Sequence, residues 1–433
     1  MNYYDDDKWN NRSSDNYYDY SDIYEQEDAA YFAREKRRAK RRAVFSGIIA
    51  IILLLSICAK FIIPAISDIL YDRKYQTEST APKINYVIPP SGETVNINAF
   101  SSSPSEPLRY YRSRLTDNEK VQYDAIANAI ANMLPSVKYS YNDVKGLMQM
   151  AQYVFYDYPE YFWYEGSMRT EYTDYGYTIS GTLFFDYSCS ETEKAAMQQE
   201  IDAKTANILQ TLSTLSDYEK VKTCYEYLIN NSKYDLNLSQ QGCYPVLAKG
   251  RGVCSSYTSA FNYLMGKSGM QTIYASGTSK GENHAWSLVK LSDGWYQVDV
   301  TWGDPVTSDG HDVLSYDYLL LDDSEMLKDH QYDNPLWYPA CNCLTYNYYR
   351  YEGLYLDKYD YDALLNILER CKRNGTEFMF KCANQDVFDE AVNNLFTNDV
   401  IWKLLRNARI GSIFQTIQYS ADSKQLTVRV SLE

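Results

Sequence analysis

One continuous apolar segment near the N-terminus most constrains how this chain can fold. The segment VFSGIIAIILLLSICAKFIIPAI covers residues 44–66 and carries a single charge, Lys60, close to its end. Its length matches the ~20 apolar residues that an α-helix needs to cross a bilayer. Lys60 lies near enough to that end to extend its amine to the interface. We therefore predict a transmembrane helix over 44–66 that holds the chain in a lipid bilayer.

The residues before this segment predict its orientation. A dense basic run precedes the apolar residues, and such runs stay on the cytoplasmic side, where they also contact anionic lipid. We expect a single-pass protein of the cell membrane with a cytoplasmic N-terminus and extracellular C-terminal domains. Residues 1–43 are otherwise acidic and tyrosine-rich with few aliphatic side chains, which predicts a disordered tail. The basic residues are Arg34, Lys36, Arg37, Arg38, Lys40, Arg41 and Arg42.

Three alternatives to an anchor helix fit the segment less well. A cleaved signal peptide has a shorter preamble and an apolar core of roughly 7–15 residues. Lipid modification of Cys58 is disfavoured by the bulky Ile57 before it and by the apolar run that continues after it. A buried core helix fits less well because nothing polar interrupts the apolar face of the segment.

The rest of the chain divides by composition. Residues 67–107 are polar and contain repeated prolines, which is typical of an extended linker or stalk. We predict an α+β module over 108–215, a catalytic domain over 216–340 and a second α+β module over 341–433. In the first module we expect helices over 116–133, 141–156 and 190–212 and a hairpin over 172–187 that turns at Ser180-Gly181. Another helix is expected over 217–231, and the last module should contain helices at 362–373 and 386–396 and strands at 378–381, 413–420 and 425–431.

Charge and cysteine spacing exclude two classes of function. The formal net charge of -15 would repel a nucleic acid. Nine cysteines are present, but Cys341-Asn-Cys343 is the nearest approach to metal-ligand spacing and lacks a second pair. We predict no metal and no cofactor. The chain also has 45 tyrosines, which we expect to coat surfaces and grooves.

The stretch 250–305 carries the chemistry. Gly250 and Gly252 allow a sharp backbone bend before Cys254, and the apolar residues that follow recur at helical spacing. Cys254 is therefore expected in the first turn of a buried helix. There the helix dipole and the unpaired N–H groups favour a thiolate and could stabilise an oxyanion.

Two strands should follow in an antiparallel hairpin, one opened by His284 and one containing Asp299. The sequence Ser292-Asp293-Gly294 supplies the turn. With any even-length loop, His284 and Asp299 project from the same face and lie within side-chain reach. An odd-length loop without a bulge would place them on opposite faces. His284 would then take the proton of Cys254 and later protonate a leaving amine, while Asp299 would orient the imidazole.

The remaining polar and aromatic residues of this stretch have plainer interpretations. Trp286 and Trp302 are expected to be core or cleft-wall aromatics, and both are candidates for substrate contact. His311 and His330 fall in polar segments, which favours a structural or solvent-facing role.

These motifs, in this order, resemble the transglutaminase-like superfamily of papain-like fold. The resemblance rests on Gly-x-Cys-Ser-Ser-Tyr, Asn-His-Ala-Trp and Trp-Tyr-Gln-Val-Asp-Val-Thr-Trp. It extends over 217–335, and it includes the lead-in Lys-Tyr-Asp at 233–235 and a tail that ends at His330. It implies an α+β domain in which the helix bearing Cys254 packs on an antiparallel sheet. It also implies a catalytic triad of Cys254, His284 and Asp299. Gly303 departs from the pattern, because relatives often carry an acidic residue there.

We therefore expect a membrane-anchored extracellular enzyme that transfers acyl groups from protein or peptide amides through a cysteine thioester. Water as the acceptor would make it a peptidase or amidase, with cell-wall peptide as one candidate substrate. An amine acceptor would make it a protein-crosslinking transglutaminase. The alternative from a different class is a non-catalytic cell-surface binding or adhesion module with the same fold.

Overall fold

The computed structural model describes residues 109–432 except 142, 176–178, 236, 239, 305–313 and 411–416, together with a two-residue strand, Tyr17–Tyr18. The predicted transmembrane segment at 44–66 and the predicted linker at 67–107 lie outside the described residues. Within the described part, no helix is both long enough and apolar enough to cross a membrane.

The first module packs helices against a three-stranded antiparallel sheet. Thr116 forms a capping box with Glu119 at the start of the helix Asp117–Ala131, and Ser190 forms another at the start of the helix Glu191–Leu212. The predicted hairpin is present, but Ser180-Gly181 lies inside its second strand and the chain turns before Ile179, so that part of the prediction was wrong. Gly181 is needed there because an added Cβ would lie 2.5 Å from the carbonyl oxygen of Glu171. The other helices are Tyr110–Arg114 and Val144–Asp157, and the strands are Ser136–Ser140, Tyr164–Asp174 and Ile179–Tyr187.

A five-stranded antiparallel sheet, here called the central sheet, positions the candidate site. Its strands lie in the spatial order Leu319–Leu321, Gly294–Val298, Glu282–Leu291, Thr272–Ser279 and His330–Tyr332. The helix Cys254–Lys267, here called the cysteine helix, packs against the two middle strands and against the helix Asp217–Asn231. Ten of the eleven residues from Ser255 to Met265 carry relative exposures of 3% or less, since the helix is enclosed on several sides.

Short elements connect these parts. The helix Tyr244–Lys249 precedes the strand Arg251–Gly252, which pairs in parallel with Lys233–Tyr234. After the central hairpin come the helix Asp323–Met326 and the 3₁₀ turn Pro335–Trp337.

The C-terminal module contains a second five-stranded sheet. Its strands are Tyr17–Tyr18, Ile417–Asp422, Thr427–Leu432, Phe378–Cys382 and Tyr355–Leu356 in spatial order. The predicted helices are present as Tyr361–Asn374 and as Gln385–Val392 with a π-helical extension, Asn393–Thr397; a short helix, Tyr348–Tyr351, precedes them. The helix Val400–Asn407 was missed, because eight residues hold little more than two turns of the periodic pattern.

The three predicted folded ranges each contain one of these larger sheets, yet they fall within one compact unit. A single buried cluster runs from Leu115 in the first module to Val430 in the last. Many tyrosines belong to this core rather than to the surface. Tyr123, Tyr225 and Tyr257, for example, have no measurable exposure. Each of these phenol groups donates a hydrogen bond, to Asp157, Ser315 and Asp304 respectively, which offsets the cost of burying a hydroxyl.

The predicted α+β class is confirmed, and so is the packing of the cysteine-bearing helix on an antiparallel sheet. The eight cysteines among the described residues are all free thiols.

Candidate active site

The backbone before Cys254 turns sharply, as the glycines predict. Gly250 ends the preceding helix in the left-handed conformation, at φ +64°. Gly252 lies so close to its neighbours that an added Cβ would be 2.6 Å from Val246 Cγ2 and 2.8 Å from Ser256 Cβ. The cysteine helix then begins at Cys254, whose side chain remains partly exposed. The thiol therefore lies at the positive end of a helix and within reach of solvent.

His284 and Asp299 are brought together by the predicted hairpin. Leu291 pairs with Gly294, so the loop has two residues and its length is even. This register places position 299 diagonally from His284 and on the same face of the sheet. The backbone N–H of Asp299 leaves the hairpin and donates to the carbonyl of Tyr318 on the neighbouring segment.

The side chains of Cys254, His284 and Asp299 form one hydrogen-bonded series. His284 Nε2 lies 2.6 Å from Asp299 Oδ2, and the His284 side chain is 9% exposed. Cys254 hydrogen-bonds to the same imidazole, which leaves Nδ1 as the atom that faces the sulfur. Burial acts to lower the pKa of His284, but the Asp299 carboxylate and the cysteine outweigh it and raise that pKa to about 10. The imidazole is thus held in the charged form that a thiolate partner requires.

Asp299 is fully buried and accepts four hydrogen bonds. Its Oδ1 accepts from the backbone N–H groups of Thr301 at 2.9 Å and Trp302 at 3.2 Å. Its Oδ2 accepts from two imidazoles, those of His284 and His330. Burial acts to raise the pKa of this carboxyl, but the two histidines more than compensate and hold it below its usual range. The Asp299 side chain is therefore held in its ionised form.

Of the two roles expected for His330, structural or solvent-facing, the structure excludes the solvent-facing one. Its side chain is completely buried, and its Nε2 lies 3.0 Å from Asp299 Oδ2. The alternation of buried and exposed residues in His330-Gln331-Tyr332 is evident only in the structure. His311, the other histidine in that interpretation, lies outside the described residues.

Three of these side chains, His284, Asp299 and His330, converge closely enough to suggest a metal site. The two nitrogens, however, lie 2.6 and 3.0 Å from one and the same carboxylate oxygen. Ligands that are each about 2.0–2.2 Å from a tetrahedral ion lie further apart than 2.6 Å. The arrangement is one of hydrogen bonds, as in a histidine–carboxylate pair.

The two tryptophans proposed for substrate contact differ in accessibility. Trp286 is 1% exposed and donates a hydrogen bond from Nε1 to Gln297 Oε1, so it forms the floor beneath the site and is closed to substrate in this conformation. Trp302 is partly exposed, with the amine of Lys280 4.0 Å from the centre of its ring. Of the two, Trp302 remains the candidate for substrate contact.

The structure explains why position 303 is a glycine. A Cβ at this position would lie 2.0 Å from the hydroxyl oxygen of Tyr225, which itself donates to the carbonyl of Ser315. A side chain of any kind, including the acidic one expected from the resemblance, would displace the tyrosine.

A cavity of about 270 Å³ lies at the other end of the cysteine helix, lined by residues that include Asn262, Gly266 and Arg109. Cys254, His284 and Asp299 do not line it. We therefore locate the chemistry at the partly exposed thiol and not at this cavity.

Comparison with known proteins agrees with this location. Residues 204–300 match the model of the transglutaminase-like superfamily, and this range contains Cys254, His284 and Asp299 but not His330. Kyphoscoliosis peptidase from Homo sapiens is 27% identical over 173 residues, which cover 35% of this chain and 25% of that protein. The Mus musculus protein of the same name is 28% identical over 144 residues, covering 28% and 22%.

The chain thus spans only about a quarter of the length of these curated relatives. The crystal structure of a TGase aligns over 31% of this chain and 44% of its own, at 13% identity and a TM-score of 0.23, too low to carry an argument. This chain therefore contains a transglutaminase-like superfamily domain, in residues 204–300.

Proposed function

We propose that this chain is a cysteine acyl-transfer enzyme that acts on protein or peptide amides, with Cys254 as nucleophile, His284 as general acid–base and Asp299 as the residue that orients the imidazole. The observation that carries the proposal is the 2.6 Å contact between His284 Nε2 and Asp299 Oδ2, beside a thiol that hydrogen-bonds to the same imidazole. Nucleophile, base and orienting group in hydrogen-bond contact are the geometric signature of this chemistry.

Each residue has a defined step. The Cys254 proton passes to His284, and the thiolate attacks the amide carbonyl carbon to give a tetrahedral oxyanion. The first N–H groups of the cysteine helix have no partner within the helix, and they can donate to that oxyanion. His284 then gives its proton to the leaving amine as the C–N bond breaks, which leaves a thioester on Cys254.

The acceptor decides the outcome. A water molecule that loses its proton to His284 and attacks the thioester releases a carboxylic acid and restores the thiol. We propose hydrolysis, and hence peptidase or amidase activity, as the main reaction. The relatives named as peptidases favour this choice over crosslinking.

The first experiment is the pH dependence of Cys254 alkylation, read by mass spectrometry of the peptide that contains it. An assembled pair should label fast well below the reference thiol pKa of about 8.5, and His284→Ala should abolish this. Labelling that rises only near that pKa, with no effect of His284→Ala, would favour a non-catalytic surface-binding or adhesion module.

Incubation with peptide amides and with a labelled amine separates the two catalytic outcomes. Release of free acid and ammonia or amine without incorporation of the label is expected for a hydrolase. Incorporation of the labelled amine into protein would instead assign a crosslinking transglutaminase.

We also propose that residues 44–66 anchor the protein in the cell membrane with the catalytic part outside. The apolar length and the basic run before it support this topology. The parallel pairing of Tyr17–Tyr18 with Tyr419–Ser420 counts against it, because a cytoplasmic tail cannot reach an extracellular sheet. Membrane-impermeant amine labelling of intact cells decides: modification of lysines in 109–432 but not of Lys8 is expected. Equal labelling of both parts would exclude this topology.

A further inference from the structure

The side of Asp299 that faces away from the thiol carries a second polar network. His330 Nε2 lies 3.0 Å from Asp299 Oδ2, the same oxygen that meets His284. The backbone N–H groups already occupy the other oxygen. Since a carboxylate only accepts hydrogen bonds, the Nε2 of His330 must carry a proton.

The other ring nitrogen of His330 meets a second carboxylate. Its Nδ1 lies 2.5 Å from Asp329 Oδ1, and the side chain has no exposure to water. A ring that donates from both nitrogens is an imidazolium. Burial acts to lower the pKa of His330, but the hydrogen bonds with Asp299 and Asp329 outweigh it and raise that pKa.

Asp329 is in turn held by residues from elsewhere in the chain. Its Oδ2 accepts a hydrogen bond of 2.5 Å from the hydroxyl of Tyr318. Gln425, which is 2% exposed, donates from Nε2 to the Tyr318 hydroxyl at 2.9 Å and to Asp329 Oδ2 at 3.4 Å. Gln425 lies in the turn between the last two strands, so the C-terminal module reaches the back of the site.

We propose that His330 is a positioning residue, a buried cation that fixes Asp299 from behind and limits how strongly this carboxylate can retain the proton on His284. The inference rests on the proposed function of Cys254. It also assigns a role to the C-terminal module, whose turn holds His330 in place through Asp329 and Tyr318.

The charge of His330 has a consequence that its packing alone would not have. The two imidazole rings are 5.2 Å apart between centroids, so each cation disfavours protonation of the other. The other ionisable groups around His330 are Asp299, Asp329 and Tyr318, while the amine of Lys280 lies across the ring of Trp302. Replacing His330 by a neutral residue removes a cation, so protonation of both His284 and Cys254 becomes more favourable.

His330→Gln tests this, because the glutamine amide can still donate to Asp299 but carries no charge. The pH profile of Cys254 alkylation has two limbs, one where the thiol loses its proton and one where His284 loses its proton. In the full-length chain, both limbs should move to higher pH by about one unit. A residue that only fills space would change the rate at every pH and leave the limbs where they are. Limbs that do not move in a folded His330→Gln protein would overturn the proposal.

A second measurement needs no substitution at His330. The chain has only three histidines, so labelling them with ¹⁵N gives a simple NMR spectrum of their ring nitrogens. In His284→Ala, one buried ring should keep protons on both nitrogens to a higher pH than the usual histidine pKa of about 6.5, and a buried ring that loses a proton at or below that value would contradict the inference. The two proposals can fail separately: an unactivated Cys254 in the unaltered protein rejects the triad, whereas an activated Cys254 with unmoved limbs in His330→Gln rejects only the role of His330.

Discussion

The two imidazoles that share Asp299 lie in contrasting surroundings. On the front side, His284 contacts the partly exposed Cys254 and is itself 9% exposed. On the back side, His330 is closed to water and lies between two carboxylates, those of Asp299 and Asp329. The same side chain can therefore exchange its proton with a substrate on one side and act as a fixed charge on the other.

The contrast shows that the surroundings of a histidine, and not its identity, decide what it does. A ring with one carboxylate and one thiol as partners can lose its proton in a reaction. A ring with a carboxylate at each nitrogen has no partner that can take that proton. Four substitutions or conditions test this difference, in order of decreasing effect.

Cys254→Ala should have the largest effect, because it removes the nucleophile from the front side. Amide turnover should fall by at least about 1000-fold. The melting temperature should change little, since the thiol is partly exposed and alanine suits a helix. Cys343→Ala is a matched control on a partly exposed thiol that donates to the backbone carbonyl of Asp293, away from the site, and it should keep full activity. Full turnover in Cys254→Ala would end the enzyme proposal.

Asp299→Asn should have the next largest effect, because it changes both sides at once. An amide cannot accept four hydrogen bonds, and it no longer favours the charged form of His284. We expect turnover to fall by about 100-fold or more. Loss of an anion disfavours protonation, so both limbs of the Cys254 alkylation profile should move to lower pH. This shift is opposite to that expected for His330→Gln, and shifts in the same direction in both variants would contradict the electrostatic account.

The meeting of the front-side residues could be predicted from the sequence for a physical reason. Gly250, Cys254, His284 and Asp299 fall within 50 residues, and their order, the helical periodicity and the even hairpin loop are local properties. Local patterns also predicted the capped helices of the first module, since a capping box needs only residues three positions apart.

The contacts on the back side could not be predicted from the sequence in the same way. His330, Asp329, Tyr318 and Gln425 meet only after the central sheet and the C-terminal sheet have packed together, across separations of up to 107 residues. The sequence around His330 is polar, and nothing local indicates that a buried carboxylate will face it. Trp286 was expected to be a core or cleft-wall aromatic, but Tyr332, which stacks on it, comes from the far edge of the sheet, so the sequence did not identify this partner.

The pH dependence of stability offers a smaller effect that compares the two sides directly. The pKa of His284 is raised to about 10 in the folded protein, against about 6.5 for a free histidine, and that of His330 is also raised. A group whose pKa is raised on folding stabilises the folded state fully at pH values below its pKa in the unfolded protein. This stabilisation is lost as the pH rises toward its pKa in the folded protein. Between about pH 7 and 9 the proton retained on His284 should cost about 1.4 kcal/mol of unfolding free energy per pH unit where Cys254 keeps its own proton, and less where the thiol has given that proton up.

Denaturant titrations at several pH values measure this slope. His284→Gln and His330→Gln should each make the decline shallower than in the unaltered protein. If only His284→Gln changes the slope, the ring of His330 is neutral in the folded protein and the back side contributes no charge.

Gln425→Ala should have the smallest effect and asks whether the C-terminal module contributes to the back side. The substitution removes the donors to Tyr318 and Asp329. A lost hydrogen bond of this kind is worth about 1 kcal/mol, so turnover should fall about fivefold. Gln418→Ala on the same sheet is the matched control, because Gln418 is exposed, and it should keep its activity. Equal turnover in the two variants, with both folded, would mean that the C-terminal turn fills space behind Asp329 without fixing its position. The hydrogen-bond network would then end at Tyr318.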